Sequence, residues 1–385
     1  MDQDRLFSGP FILCSSSNLL QALAFNLFLH FPGFLKDLGA GEVEIGLLFS
    51  LTAVASIAVR PALGRIMDSR GRRGVIMVGN ILNTAVMALY LSVSSIGPWV
   101  VTVRILNGLS EAMLFTALFT YAADCVPEGR RTQGLMLFGV SGMLPIALGG
   151  LLGDFILARD GYDLLFIAAL VCAAGALLLS LPLPETRAAG FDCETDAPAG
   201  FQRVISQRNL VPLWGITAAF SIALAAMFTF LKTFVMQTGV GSVGGFFSAY
   251  AGIALVLRIF LGWLPDRVGA KRLLFPALAT LAVGFLVLAV AASPRDVLIA
   301  GALCGAGHGY TFPLLFGMVV TRARSADRGT AMAIYTALFD LGILVGSPLL
   351  GALIEWFGYT MMFIAAAGLL ASSTAAFAAA DRERH

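Results

Sequence analysis

Residues 60–73 read RPALGRIMDSRGRR, and residues 258–272 read RIFLGWLPDRVGAKR. Laid over one another, Arg60 meets Arg258, Gly64 meets Gly262, Asp68 meets Asp266 and Gly71 meets Gly269, all at an offset of 198. Further along, Gly108 meets Gly305 and Arg131 meets Arg328 at an offset of 197. Self-similarity over about half the chain means that one structural unit occurs twice. Each copy is a charged turn punctuated by glycine, set between long apolar runs. Such a pattern describes apolar helices joined by charged loops.

The composition says what surrounds those helices. Of 385 residues, 58% are hydrophobic and 12% charged, with a mean hydropathy of +0.87. Soluble domains carry about 25% charged residues, so this chain cannot cover a water-facing surface. The same numbers exclude a disordered chain. A net charge of +2 with scattered arginines excludes a nucleic-acid partner. The apolar runs are continuous and not alternating, which argues against a β-barrel and for spanning helices of about 20 residues. The expected partner is the lipid bilayer. Five cysteines (Cys14, Cys125, Cys172, Cys193, Cys304) show no CxxC spacing and read as small core hydrophobes. With three histidines there is no metal-ligand cluster, and no cofactor is expected. The first apolar run has no small-residue cleavage site after it and reads as a retained span.

Charges, Pro and Gly divide the chain into spans 8–35, 44–67, 74–96, 99–124, 132–158, 163–183, 210–237, 242–265, 272–292, 295–321, 329–355 and 358–380. That makes twelve transmembrane helices in an all-α membrane protein, arranged as two pseudo-symmetric six-helix bundles. The expected domains are 1–183, a linker at 184–209 with a short amphipathic helix around Phe201–Ile205, and 210–385. Loops on one side hold 18 Lys and Arg, and those on the other hold three, Lys36, Arg159 and Arg295. Positive charge marks the cytoplasmic side, so both termini and the linker are expected there. Two parallel halves are a mark of transporter folds.

At these residues the chain resembles the major facilitator superfamily. That family's loop between the second and third helices carries Gly-x-x-x-Asp-Arg-x-Gly-Arg-Arg/Lys. Here it stands as Gly64, Asp68, Arg70, Gly71, Arg72 and Arg73, with Ser69 where the family has Arg. The second copy is Gly262, Asp266, Arg267, Gly269 and Lys271. The fourth-helix Arg-x-x-x-Gly appears as Arg104 and Gly108, and Pro-Glu-Thr after the sixth helix as Pro184-Glu185-Thr186. The resemblance covers essentially the whole chain and implies the family's fold. The chain resembles short bacterial efflux members, which implies a monomer in the bacterial inner membrane. The antiporters' Gly-Pro run in the fifth helix is altered here, Leu144 standing before Pro145 and the pair Gly149-Gly150 displaced by one position.

The loop motif has its own physics. An Asp at one helix end can accept from N–H groups at the start of its neighbour and pair with Arg. A latch of that kind forms in one conformation and breaks in another, so Asp68 and Asp266 are read as gates, with a static topology anchor as the alternative. Ionisable groups inside a span are costly and mark cavities or partners. Glu111 and His308 fall near mid-depth of the fourth and tenth spans and are repeat-equivalent, 197 apart. A structural pair with Arg104 competes for Glu111, and a packing role for His308. Lys232 lies in the outer half of the seventh span, as an anion site or a snorkelling side chain. Asn18, Gln21, Asn26 and His30 form a polar stripe on the first span. Asp340 and Asp124 read as polar contacts between helices, and Arg60 and Arg258 as servants of the gate.

The expected function is secondary active transport of a small organic solute. Alternating access coupled to protons, with efflux of a drug or metabolite, is the leading reading. No Walker-type motif is present, so energy comes from a gradient. The alternative is proton-coupled uptake or uniport of a small organic anion, suggested by Arg104, Lys232 and His308. An intramembrane enzyme would need a nucleophile with its base or a metal cluster, and neither is visible.

Overall fold

A computed structural model describes residues 8–127, 131–186, 201–324 and 327–381. Among them every regular element is a helix. Lipid offers peptide groups no hydrogen-bond partner, so a chain this apolar satisfies its backbone within each helix. The long elements are α1 (Gly9–Asp37), α2 (Glu42–Arg70), α3 (Arg73–Tyr90), α4 (Pro98–Cys125), α5 (Arg131–Leu157) and α6 (Gly161–Ser180). A short α7 (Phe201–Ile205) precedes α8 (Val211–Thr238) and α9 (Val243–Leu261). Another short helix, α10 (Leu264–Val268), leads to α11 (Ala270–Ala289), α12 (Pro294–Arg322) and α13 (Arg328–Ala380). Eleven helices among the described residues are long and apolar enough to cross a membrane.

Most boundaries fall within three residues of the sequence-derived spans. The third ends at Tyr90 rather than 96, because the run Ser92–Pro98 turns the chain before α4 begins at Pro98. The larger difference is α13, 53 residues long, in which 329–355 and 358–380 run together. Its regularity breaks at Gly358, where φ is 80°.

The described residues of Met1–Ala40 and Leu51–Asp192 form one compact unit, and those of Gly41–Ser50 and Cys193–His385 form the other. In the first, α1 packs on α5 and α6, and α3 on α4 and α6. In the second, α8 packs on α13, and α12 on α9 and α11. The start of α2 is held within the second unit. Val43 N–H donates to Glu355 (3.0 Å), the Tyr359 hydroxyl to Glu42 (2.8 Å) and the Ser50 hydroxyl to Leu344 O (2.7 Å).

The repeat is visible inside each unit. A Cβ on Gly108 of α4 would strike the backbone of Thr52, and one on Gly305 of α12 the backbone of Tyr250. Thr52 and Tyr250 are themselves 198 apart. Small residues are what allow such close approach of two helices in lipid. Gly71 and Gly269 share a left-handed φ of 90° and 93°, and so do Gly161 and Gly358, at 77° and 80°. Gly161 opens α6, so Gly358 stands at the repeat position of a turn between two helices.

Candidate functional site

The mid-depth groups of the first unit are largely buried. Arg104 is 3% exposed. Its Nη1 lies 3.4 Å from Asn107 Oδ1 and 3.5 Å from the Tyr90 hydroxyl, and its guanidinium stands 5.0 Å over the Phe31 ring. Tyr90 also donates to Asn107 (3.2 Å). Glu111, two turns further along α4, is half-buried and within electrostatic reach of Tyr90. The polar stripe of α1 is buried as well. Asn18 donates to Ser141 of α5 (2.9 Å), and Asn26 donates to its own helix at Ala22 O (2.7 Å). His30 is fully buried, its Nε2 3.1 Å from Gly150 O and 3.8 Å from Asp154, both on α5. Gln21 is buried on the same helix. Asn18 and His30 therefore join α1 to α5, whatever else they do.

In the second unit the repeat-equivalent position is held by rings. Tyr250 hydrogen-bonds His308 Nδ1. Phe220 of α8 approaches the imidazole to 5.4 Å between centroids, and Phe312 to 6.2 Å. Lys232 and Asp340 are half-buried on α8 and α13. Arg60 Nε lies 3.4 Å from the Ser56 hydroxyl in α2, and Arg258 lies within electrostatic reach of Tyr250.

The charged ends of the helices carry the densest polar geometry. Backbone N–H groups of Arg72 and Arg73, at the start of α3, donate to Glu185 Oε1 at 2.7 and 3.2 Å. The local cap residue is Arg72, whose side chain cannot accept, so the acid arrives from a distant helix end. Gly71 turns under it at φ 90°, and the Glu185 carboxylate occupies the space a Cβ would need. Arg72 Nε pairs with Asp124 of α4 at 3.0 Å, and Asp124 accepts from the Thr186 hydroxyl at 3.2 Å. Arg73 Nη2 donates to Leu181 O, and the Tyr121 hydroxyl to Pro184 O. The Pro-Glu-Thr run is thus bound to the loop motif of its own unit.

The second unit builds its corner around Asp381. Arg322, at the end of α12, makes two bonds to its carboxylate, at 3.0 and 2.9 Å. Lys271 Nζ lies 3.0 Å from the carboxylate and 2.8 Å from the Asp381 carbonyl. Burial alone would raise this carboxyl's pKa, but the bonds from Arg322 and Lys271 outweigh it and hold it below the usual range. Asn209 donates to Arg322 O (2.9 Å), and Gln207 to Asp327 (3.1 Å), so the segment following α7 is fastened here.

Of the sequence-selected gate residues, Arg72 and Lys271 are brought to acids, and Gly71 and Gly269 make left-handed turns. Arg70 and Gly262 are exposed and Gly64 is half-buried. Arg267 stacks on Trp263 at 4.8 Å. The side chains of Asp68 and Asp266 lie outside the described residues. The contact of Asp124 between helices was legible in the sequence. Asp381 was not, although an acid just after the last apolar run of each half, Glu185 and Asp381, was its available signal.

The model of the Major Facilitator Superfamily matches residues 11–296 and 237–385. The chain belongs to that superfamily and is a multi-pass membrane transporter. Among its relatives is an uncharacterized MFS-type transporter, YhhS, of Escherichia coli K12, 25% identical over 349 residues, covering 88% of this chain and 84% of YhhS. Solved structures share the fold. The human organic anion transporter MFSD10 superimposes with a TM-score of 0.72 at 20% identity, covering 95% of this chain and 98% of its own. The POT family transporter PepTSo gives 0.79 at 13% identity, covering 98% of each chain.

Proposed function

We propose that the chain is a secondary active transporter that exports a small organic solute by alternating access driven by the proton gradient. It would do so as a monomer of twelve spans in the bacterial inner membrane, with both termini and the linker 184–209 cytoplasmic. The two bundles are 1–183 and 210–385. The twelfth span comes from dividing α13 at Gly358, which is supported by its repeat relation to the turn glycine Gly161. Cytoplasmic orientation draws on the 18-to-3 bias of Lys and Arg.

The observation that carries proton coupling is the pair Glu111 and His308. Each lies three residues after a glycine that admits a neighbouring backbone, Gly108 or Gly305, so the two occupy equivalent positions on α4 and α12. A group whose proton affinity differs between two conformations takes up a proton in one and releases it in the other, and that linkage is coupling. Glu111 is assigned the coupling role, with Arg104 modulating it. His308, Lys232, Asp340, Gln21, Asn26 and His30 complete the candidate cavity set. The loop motifs around Asp68 and Asp266 are assigned to gating.

Reconstituted in liposomes, Glu111→Gln should keep solute counterflow and lose accumulation driven by an imposed pH gradient. Accumulation at the wild-type level would remove Glu111 from the mechanism and pass the role to His308 or Asp340. A second reading, uptake or uniport of an organic anion, is favoured by Arg104, Lys232 and His308. Competition by substrate anions that disappears in Lys232→Met would select it.

A further inference from the structure

His308 stands midway along α12 within a row of rings. Phe220 and Phe228 reach it from α8, Tyr250 from α9 and Phe312 from its own helix, with centroids 5.4, 6.3, 5.7 and 6.2 Å away. Phe339 of α13 closes the row, 5.4 Å from Phe312 and 6.2 Å from Phe220. Phe220 and Tyr250 are buried, whereas His308, Phe228, Phe312 and Phe339 are half-buried. Four helices of one unit therefore share a partly open face lined with rings and centred on an imidazole. Lipid-facing surfaces need no such centre, and an ionisable side chain at this depth is costly against acyl chains. An apolar, aromatic lining with few placed polar groups is instead the usual make-up of a small-molecule site.

The chemistry of the face narrows the ligand. Tyr250 occupies His308 Nδ1, which leaves Nε2 as the second hydrogen-bonding position of the ring. Arg258, within electrostatic reach of Tyr250 and His308, disfavours a cationic ligand. Phe228 and Phe312 offer ring faces and edges, which another aromatic ring meets in offset or T-shaped geometry with a gain beyond area burial. A saturated ring of similar size fills the same space without that gain.

We infer that this face of the second unit binds a planar, neutral or anionic aromatic solute. Its ring lies against Phe228 and Phe312, and a polar substituent meets Nε2 of His308. This deepens the transport reading and rests on it only for the statement that the bound solute is carried.

The test uses the full-length protein purified in detergent and titrated by thermal shift with three matched pairs. These are benzoate and cyclohexanecarboxylate, 2-naphthoate and decahydro-2-naphthoate, and benzamide and cyclohexanecarboxamide. The aromatic member should bind about tenfold more tightly in at least one pair. That preference should fall to near unity in Phe228→Leu/Phe312→Leu and persist in Phe312→Tyr. Equal affinity within all three pairs overturns the inference, as does a preference that survives in the leucine variant. Should the double variant fail to fold, Phe228→Leu alone should lower the preference about threefold, and an unchanged preference there overturns the inference equally. Counterflow of the same compounds in liposomes separates the two claims. Aromatic preference without counterflow sinks transport and leaves the site standing. Counterflow that does not distinguish the pairs sinks the site and leaves transport standing.

Discussion

The first unit seats an acid on peptide N–H groups, and the second seats one between two cations. Glu185 follows the last helix of the first unit and caps α3, while a separate acid, Asp124, pairs with Arg72. Asp381 follows the last helix of the second unit and binds both Arg322 and Lys271. Lys271 and Arg73 are repeat-equivalent, as are Arg322 and Cys125. One duplicated scaffold thus carries two electrostatic solutions. The difference is one of redundancy and burial. The first corner divides its charge between two acids, and the Asp124 side chain is 21% exposed. The second places two cations on one carboxylate that is 2% exposed, so removing it breaks both ion pairs at once.

The largest effect should come from breaking that single carboxylate. Asp381→Asn should lower unfolding stability by about 3–5 kcal/mol, the range for a buried ion pair that loses one partner. Denaturant unfolding in detergent measures it, and a loss below about 1 kcal/mol would erase the contrast between the corners. Acid should act in the same sense. The folded-state pKa of Asp381 is depressed, so its contribution is complete above the ordinary carboxylate pKa of about 4. It is lost as pH falls through the lowered folded value. The Asp381→Asn variant should therefore lose less stability than the wild type over that acid window.

Next come the paired glycines, which test whether the two units share one packing rule. Gly108→Ala and Gly305→Ala each drive a Cβ into a neighbouring backbone and should cost about 1–3 kcal/mol. Similar losses support equivalence, and a cost confined to one of them breaks it. Glu185→Gln should cost about 1 kcal/mol, the value of a helix cap and its dipole term, because the amide oxygen still accepts. The smallest effect should be Asp124→Asn, about 0.2–1 kcal/mol, as for partly exposed ion pairs. It should shrink further when unfolding is measured at high salt. A larger loss for Asp124→Asn than for Glu185→Gln would reverse the assigned roles in the first corner.

Much of the scaffold is legible in the sequence alone. Lipid forbids unpaired peptide groups, so an apolar run of sufficient length is a helix almost by necessity, and charge and Pro mark its ends. The boundaries of α4 and α12 fall within a residue of the sequence-derived spans for that reason. The sequence-derived span runs six residues past the end of α3 because Leu91, Val93 and Ile96 prolong the apolar pattern, although Ser92, Ser94, Ser95 and Gly97-Pro98 are turn residues. The candidate site was legible only as residue types at depth. Glu111 and His308 stood out by position, but the rings around His308 did not, since Phe faces lipid as readily as it faces a site.

What the sequence by itself determined is what depends on local chemistry and on counting. That covers helices, the repeat at 198 and 197, the charge asymmetry of the loops and the glycines that punctuate the charged turns. What only the tertiary structure decided is which distant groups share a corner. Glu185 reaches the start of α3 across 112 residues of chain, and Arg322 reaches Asp381 across 59. Separations of that size carry no periodic signal. A carboxylate after the last helix of a unit has the same sequence signature whether it meets N–H groups, cations or water. Helix packing alone selects the partner, because it fixes which ends arrive at the same place.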